Sequence, residues 1–314
     1  MTEGRISRLG WYARRSALAG SQREAGGRAG LRPSRFAGAR ITLRTSGEDE
    51  ICCRCASGPH GYLRIAARAH ADALSVEVGY AGVEILADPG RFRHPRERAW
   101  RSYFRSTIAH NTAELDGRSQ SAEGGPFMWA RHAHTREIEV LDDGDIARWT
   151  AEYDGYASLD SPTVHRRSVL LDRASRSIDI IDQIDMGSPD IRLAFHLGPD
   201  VEAELEESCA ALDWPTASAP GAARLELPPG LRWSLHRGET DPILGWYSHG
   251  PGRRVPAVTL LGCGRCVPGM PLITRLEFLE AGKPGKSAIS RQAISWTTSA
   301  PLSGKAPEIQ AEVR

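Results

Sequence analysis

From residue 40 onward the chain alternates apolar and polar residues in short runs, each closed by turn-forming residues. Residues 40–44 read RITLR, 177–181 SIDII, 192–197 RLAFHL, 231–235 LRWSL and 274–278 TRLEF. Residues 138–140, 147–151 and 169–171 carry the same period of two. Successive side chains of a strand point to opposite faces, so each run can bury one face and wet the other. Asp143-Gly144-Asp145, Asp154-Gly155 and Pro228-Pro229-Gly230 are predicted turns between them. No amphipathic helical window interrupts the series, and no internal repeat is evident. The pattern therefore predicts an all-β fold, a large antiparallel β-sandwich.

One pair of runs is a predicted hairpin. Val76 and Val78 alternate with Glu77, Val83 and Ile85 with Glu84, and Gly79-Tyr80-Ala81-Gly82 reads as a four-residue connection. Pairing Val78 with Val83 sets Ala73 opposite Asp88 and gathers His70, Asp72 and Asp88 at the open end. The next segment, 91–107, contains Pro95, Trp100, Tyr103 and Phe104 and reads as a long functional loop.

Composition adds boundaries. Residues 1–37 are rich in Arg, Gly, Ala and Ser without an apolar period, and read as a disordered segment. Residues 38–282 hold the strand pattern, and 283–314, richer in Ser, Lys, Pro and Gln, read as a weakly ordered tail. With 40 lysines and arginines against 39 acidic residues, the net charge of +1 argues against general capture of nucleic acid or anionic membrane. No window approaches the ~18 apolar residues of a membrane helix, and the N-terminus lacks the apolar stretch of a secretory signal. Expressed as written, the chain is expected in the cytoplasm. Of the six cysteines, Cys263 and Cys266 have C-x-x-C spacing, but a zinc site would need a second pair from Cys52, Cys53 and Cys55, far away in sequence. Small buried residues on strands are the favoured reading.

The candidate chemistry lies in His70, Asp88 and His110, each at the edge of a β-like run. Two imidazoles and a carboxylate suit zinc, which binds nitrogen at ~2.0–2.1 Å and carboxylate oxygen at ~2.0–2.2 Å. A histidine beside an aspartate is more often a hydrogen-bonded pair, and spacing alone leaves both readings open. His132 and His134 share a face if their segment is a strand. They suggest a hydrogen-bonding or substrate-lining pair. Trp100, Tyr103 and Trp129 are candidates for stacking on sugar rings or for the core. His165, His196, His236 and His249 stand isolated.

Three stretches, GYLRIAARAHADALSVEVGYAGVEILADPG, WRSYFRSTIAHNTAELDGRSQS and GGPFMWARHA, together resemble the C-terminal β-sandwich domain of the heparinase II/III-like polysaccharide lyases. The resemblance implies a sandwich that follows an α/α toroid and joins it in cleaving uronate-containing acidic polysaccharides by β-elimination. It also implies one divalent metal, most commonly zinc, on His70, Asp88 and His110. It points to an acidic polysaccharide or oligosaccharide as ligand, a cell-envelope or periplasmic site of action, and a catalytic histidine two residues before the first metal ligand. Arg68 stands at that position. A guanidinium stays protonated far past neutral pH and cannot exchange protons near neutrality, although it can clamp a carboxylate or sulfate. With no toroid-like helical pattern before residue 38, the chain is expected to be a fragment or the downstream half of a split gene, with a separately encoded toroid as partner. Two readings follow: a lyase domain weak or inactive alone, and a non-catalytic carbohydrate-binding or structural sandwich descended from one. An unrelated metal-dependent hydrolase is a third, for which no base can be assigned.

Overall fold

A computed structural model of the chain describes residues 35–36 and 40–279, except 46, 48, 60–65, 67–68, 93–96, 126–127, 158, 160–161, 186 and 217–219. Of the terminal segments set apart by composition, 283–314 and all of 1–37 except residues 35–36 lie outside that range, and so does Arg68. The first five strands, β1 (Arg35–Phe36), β2 (Arg40–Arg44), β3 (Ile51–Ala56), β4 (Val76–Tyr80) and β5 (Val83–Leu86), form a sheet in chain order. Helix α1 (Arg98–Arg105) and a 3-10 turn (Thr107–Ala109) follow, then β6 (Ala113–Leu115) and a hairpin of β7 (Ala122–Gly125) and β8 (Met128–Arg131).

An antiparallel meander comes next: β9 (Thr135–Asp142), β10 (Ile146–Tyr156), β11 (Thr163–Asp172) and β12 (Ser177–Asp185), followed by β13 (Asp190–His196). Then come β14 (Glu202–Glu206), β15 (Cys209–Trp214), β16 (Gly221–Glu226) and β17 (Arg232–Arg237). Two small ribbons, β18 (Glu239–Thr240) with β19 (Ile243–Leu244) and β20 (Trp246–Gly250) with β21 (Arg253–Pro256), precede β22 (Val258–Arg265) and β23 (Leu272–Leu279). The largest sheet has eight strands in the order β14-β15-β16-β23-β12-β11-β10-β9, and a four-stranded sheet runs β17-β22-β13-β6.

Every named strand pair is antiparallel, as alternation predicts. One continuous cluster of buried side chains joins the three large sheets: Ile41, Ile51 and Val78 from the first, Trp149, Ile180 and Leu225 from the eight-stranded, Leu193, Phe195 and Leu260 from the four-stranded. Cys53 and Cys55 belong to that cluster, and Cys266 is also buried. All six cysteines are free thiols.

The structure corrects three expectations. First, the hairpin turns over two residues rather than four, with Ala81 and Gly82 at φ +47° and +86°, so Val83 faces Tyr80 instead of Val78. Two consecutive positive φ values match the right-handed twist of the flanking strands. Tyr80 is drawn into the strand because its ring stacks on Phe278 at 4.9 Å and meets the edge of Trp214 at 5.6 Å. Second, the expected loop 91–107 contains α1. Trp100, Tyr103 and Phe104 stand at i, i+3 and i+4, a helical stripe too short to stand out beside Pro95. Third, Asp154-Gly155 lies inside β10 as a register irregularity between Tyr153 and Tyr156, not at its end.

Candidate metal centre

His70, Asp88 and His110 converge although they come from three segments. Their ligand atoms all lie within 4.8 Å of one another, and among the described residues theirs is the one such group of metal-binding side chains. His110 is fully buried between the 3-10 turn and β6. Its Nδ1 lies 2.8 Å from the Ser106 carbonyl, which can only accept, so Nδ1 is a donor and Nε2 is the nitrogen that faces the other two side chains. Nε2 sits 3.1 Å from His70 Nδ1. Two nitrogens bound at 2.0–2.1 Å to one tetrahedral ion would lie roughly 3.3 Å apart, so this spacing fits a shared cation. Burial, reinforced by His110, holds the His70 imidazole down to about 3, which keeps it neutral and able to ligate.

The Asp88 carboxylate is fixed by its own turn. Gly90 donates its N–H to Asp88 Oδ1 at 2.7 Å, and the Ser248 N–H donates to the Pro89 carbonyl at 2.7 Å. Gly90 has φ +83°, and a Cβ there would lie 2.2 Å from the Ser248 carbonyl oxygen, so only glycine fits. Helix α1 and the segment before β7 steady the His70 loop from the other side: the Arg105 carbonyl at the end of α1 accepts the Ala71 N–H at 2.8 Å, and Gln120 Nε2 donates to the Ala71 carbonyl at 2.5 Å.

Behind the three candidate ligands lies a buried polar frame that the sequence did not single out. Asn111, next to His110, is fully buried and donates from Nδ2 to the carbonyls of Val76 (2.8 Å) and Ala87 (3.1 Å). Its Oδ1 accepts the His196 N–H at 2.6 Å. Arg167 Nη1 donates to the carbonyls of Leu74 (2.9 Å) and Asn111 (2.5 Å), while Nε and Nη2 grip the two oxygens of Asp182 at 2.7 and 3.0 Å. His165 Nε2 is 2.6 Å from Asp182 Oδ1. His196 is also no isolated residue: Nε2 donates to the Ile108 carbonyl at 2.9 Å, and Nδ1 meets Thr259 Oγ1 at 2.9 Å. No local motif marks Arg167, whose partner Asn111 is 56 residues earlier.

The remaining sequence candidates are placed as follows. Tyr103 packs with Phe92, Phe104, Ala109, Ala194, Leu244 and Leu261, and only 7% of it is exposed. Trp129, 4% exposed, packs on Ala66 and Ala71, lies under the Arg105 guanidinium at 4.3 Å and donates Nε1–H to the Ala66 carbonyl at 3.2 Å. Both rings are thus occupied by packing, and neither offers an open face to a sugar. His132 and His134 do face each other, with ring centroids 5.1 Å apart, and Asp154 lies 3.4 Å from His134.

A family profile described as heparinase II/III-like, C-terminal, matches residues 34–297. The chain belongs to that family. No curated protein sequence matches it. Among solved structures it resembles a heparinase III, with 17% identity over 84% of this chain and 38% of that one and a TM-score of 0.64. It also resembles the heparan sulfate lyase HepC from Pedobacter heparinus, with 14% identity over 87% of this chain and 41% of that one and a TM-score of 0.66. At these identities the likeness establishes the fold. The chain spans about two fifths of the length of these relatives.

Proposed function

We propose that this chain is the sandwich part of a lyase that cleaves acidic, uronate-containing polysaccharides by β-elimination, with a divalent metal, most simply zinc, on His70, Asp88 and His110. The observation that carries the metal is the pair of imidazole nitrogens 3.1 Å apart beside a fixed carboxylate. Held there, the ion would tie three segments of the sandwich together, a structural task that leaves the bond chemistry to other groups.

That chemistry needs a base for the proton beside the uronate carboxylate, a group that neutralises the carboxylate, and an acid for the leaving oxygen. Arg68 suits only the second. The other two tasks then fall to a toroid, supplied by the same or another polypeptide, with the cell envelope or periplasm as the site of action. Arg68 also favours a second reading, a carbohydrate-binding sandwich that keeps the metal and has lost catalysis.

The test is the ultraviolet absorbance of the unsaturated product from heparan-type and alginate-type substrates, for the chain and for Arg68→His, each with and without a family toroid. We expect little turnover by the unmodified chain alone and a gain in Arg68→His when a toroid is present. Robust turnover by the unmodified chain alone would overturn the incomplete-lyase reading. No gain in Arg68→His would favour the binding module. Metal analysis tests the ligand set separately: His70→Ala should lose the stoichiometric zinc of the parent chain.

A further inference from the structure

The polar frame behind the ligands has a specific geometry, and its consequence rests on the metal reading above. Asn111 spends every polar atom of its side chain on backbone groups of other segments: Val76 at the start of β4, Ala87 immediately before Asp88, and His196 at the end of β13. Its own carbonyl is taken by Arg167, which also holds Leu74 on the chain leading from His70. Thr112 adds a further strap from Oγ1 to the Ala73 carbonyl at 3.1 Å. The segments that carry His70 and Asp88 are therefore bonded to the residues that follow His110.

We infer that Asn111 is the positioning residue of the metal centre: its amide fixes the spacing of the three ligand-bearing segments before any ion arrives. The residue type follows from the partners. Two carbonyl acceptors and one N–H donor converge on one side chain, and only an amide presents two donors and an acceptor in so small a volume. Aspartate has the same shape but would turn oxygen lone pairs toward the Val76 and Ala87 carbonyls. Leucine would leave all three backbone groups buried without a partner. Arg167, with Asp182 and His165 behind it, holds Asn111 from the core side.

The experiment measures zinc affinity by competition with a chromophoric chelator, alongside metal-free thermal stability, in the full chain and in Asn111→Asp, Thr112→Val and Val169→Ala. Loss of groups that orient metal ligands commonly weakens affinity about 10–100-fold, and that loss is expected in Asn111→Asp. Thr112→Val should weaken zinc several-fold. Val169, fully buried in β11, is the control. Its truncation should lower stability while zinc affinity stays at the parental value. If Asn111→Asp binds zinc as the parent does, or if its affinity falls no further than that of the equally destabilised control, the inference is overturned. If Asn111→Asp does not fold, Thr112→Val decides, and parental affinity there overturns it. A parent chain that binds no zinc would instead overturn the metal reading itself, and this inference with it.

Discussion

His165 is fully buried beside Asp182, and the two balance opposing effects. The carboxylate favours a protonated imidazole, but burial outweighs it and pushes the His165 pKa below its usual value of 6.5. Asp182 goes the same way for a different reason: Arg167 and His165 overcome burial and hold it down to about 2. For both groups the unfolded chain takes up protons at a pH where the folded chain does not, so stability falls as pH falls. The His165 share is lost on acidification below about pH 6.5, and the Asp182 share from about pH 4 toward 2. Urea midpoints measured from pH 7 to 5 should therefore decline, and the decline should be shallower in His165→Gln. A midpoint independent of pH over that range would contradict this account. At this scale the sequence singled out three side chains that the fold brings together, but not their company. His70, Asp88 and His110 were legible because ligand types stood at strand edges. Asn111 and Arg167 were not, because a buried amide or guanidinium is recognised only by the distant carbonyls it meets.

Arg167 projects from β11 to Asp182 on β12, and both side chains are completely buried. Removing one member of a buried pair leaves an uncompensated charge, at a typical cost of about 3–5 kcal/mol. Arg167→Met should be destabilised on that order in denaturant titration, and the double variant Arg167→Met with Asp182→Leu should recover part of the loss. Equal losses in the single and double variants would show that the bonds to Leu74 and Asn111 matter more than the charge. Among elements, the long alternating runs such as SIDII and TRLEF fell within strands as predicted, because one face of each enters the shared core. Helix α1 and the two-residue hairpin turn were missed where tertiary packing decides the outcome. Tyr80 is claimed by Phe278 and Trp214, partners roughly 130 to 200 residues later that no local window contains.

For the whole molecule, a metal that binds only the folded chain stabilises it by mass action, by about 2.7 kcal/mol at a free concentration 100 times Kd. Chelator treatment should therefore lower the Tm of the chain, zinc should restore it, and His70→Ala should show neither response. A Tm indifferent to both would count against a bound ion. The strand order of the eight-stranded sheet bears on how such a chain is made. β23, which ends at Leu279, lies between β16 and β12, and Ile180 pairs there with Thr274. During synthesis, β12 and β16 each present an unpaired edge until β23 emerges from the ribosome. Exposed edges of this kind are templates for wrong pairing between chains. The nascent polypeptide therefore passes through a window of aggregation risk that closes only when one late strand slots into the middle of a sheet already built on both sides.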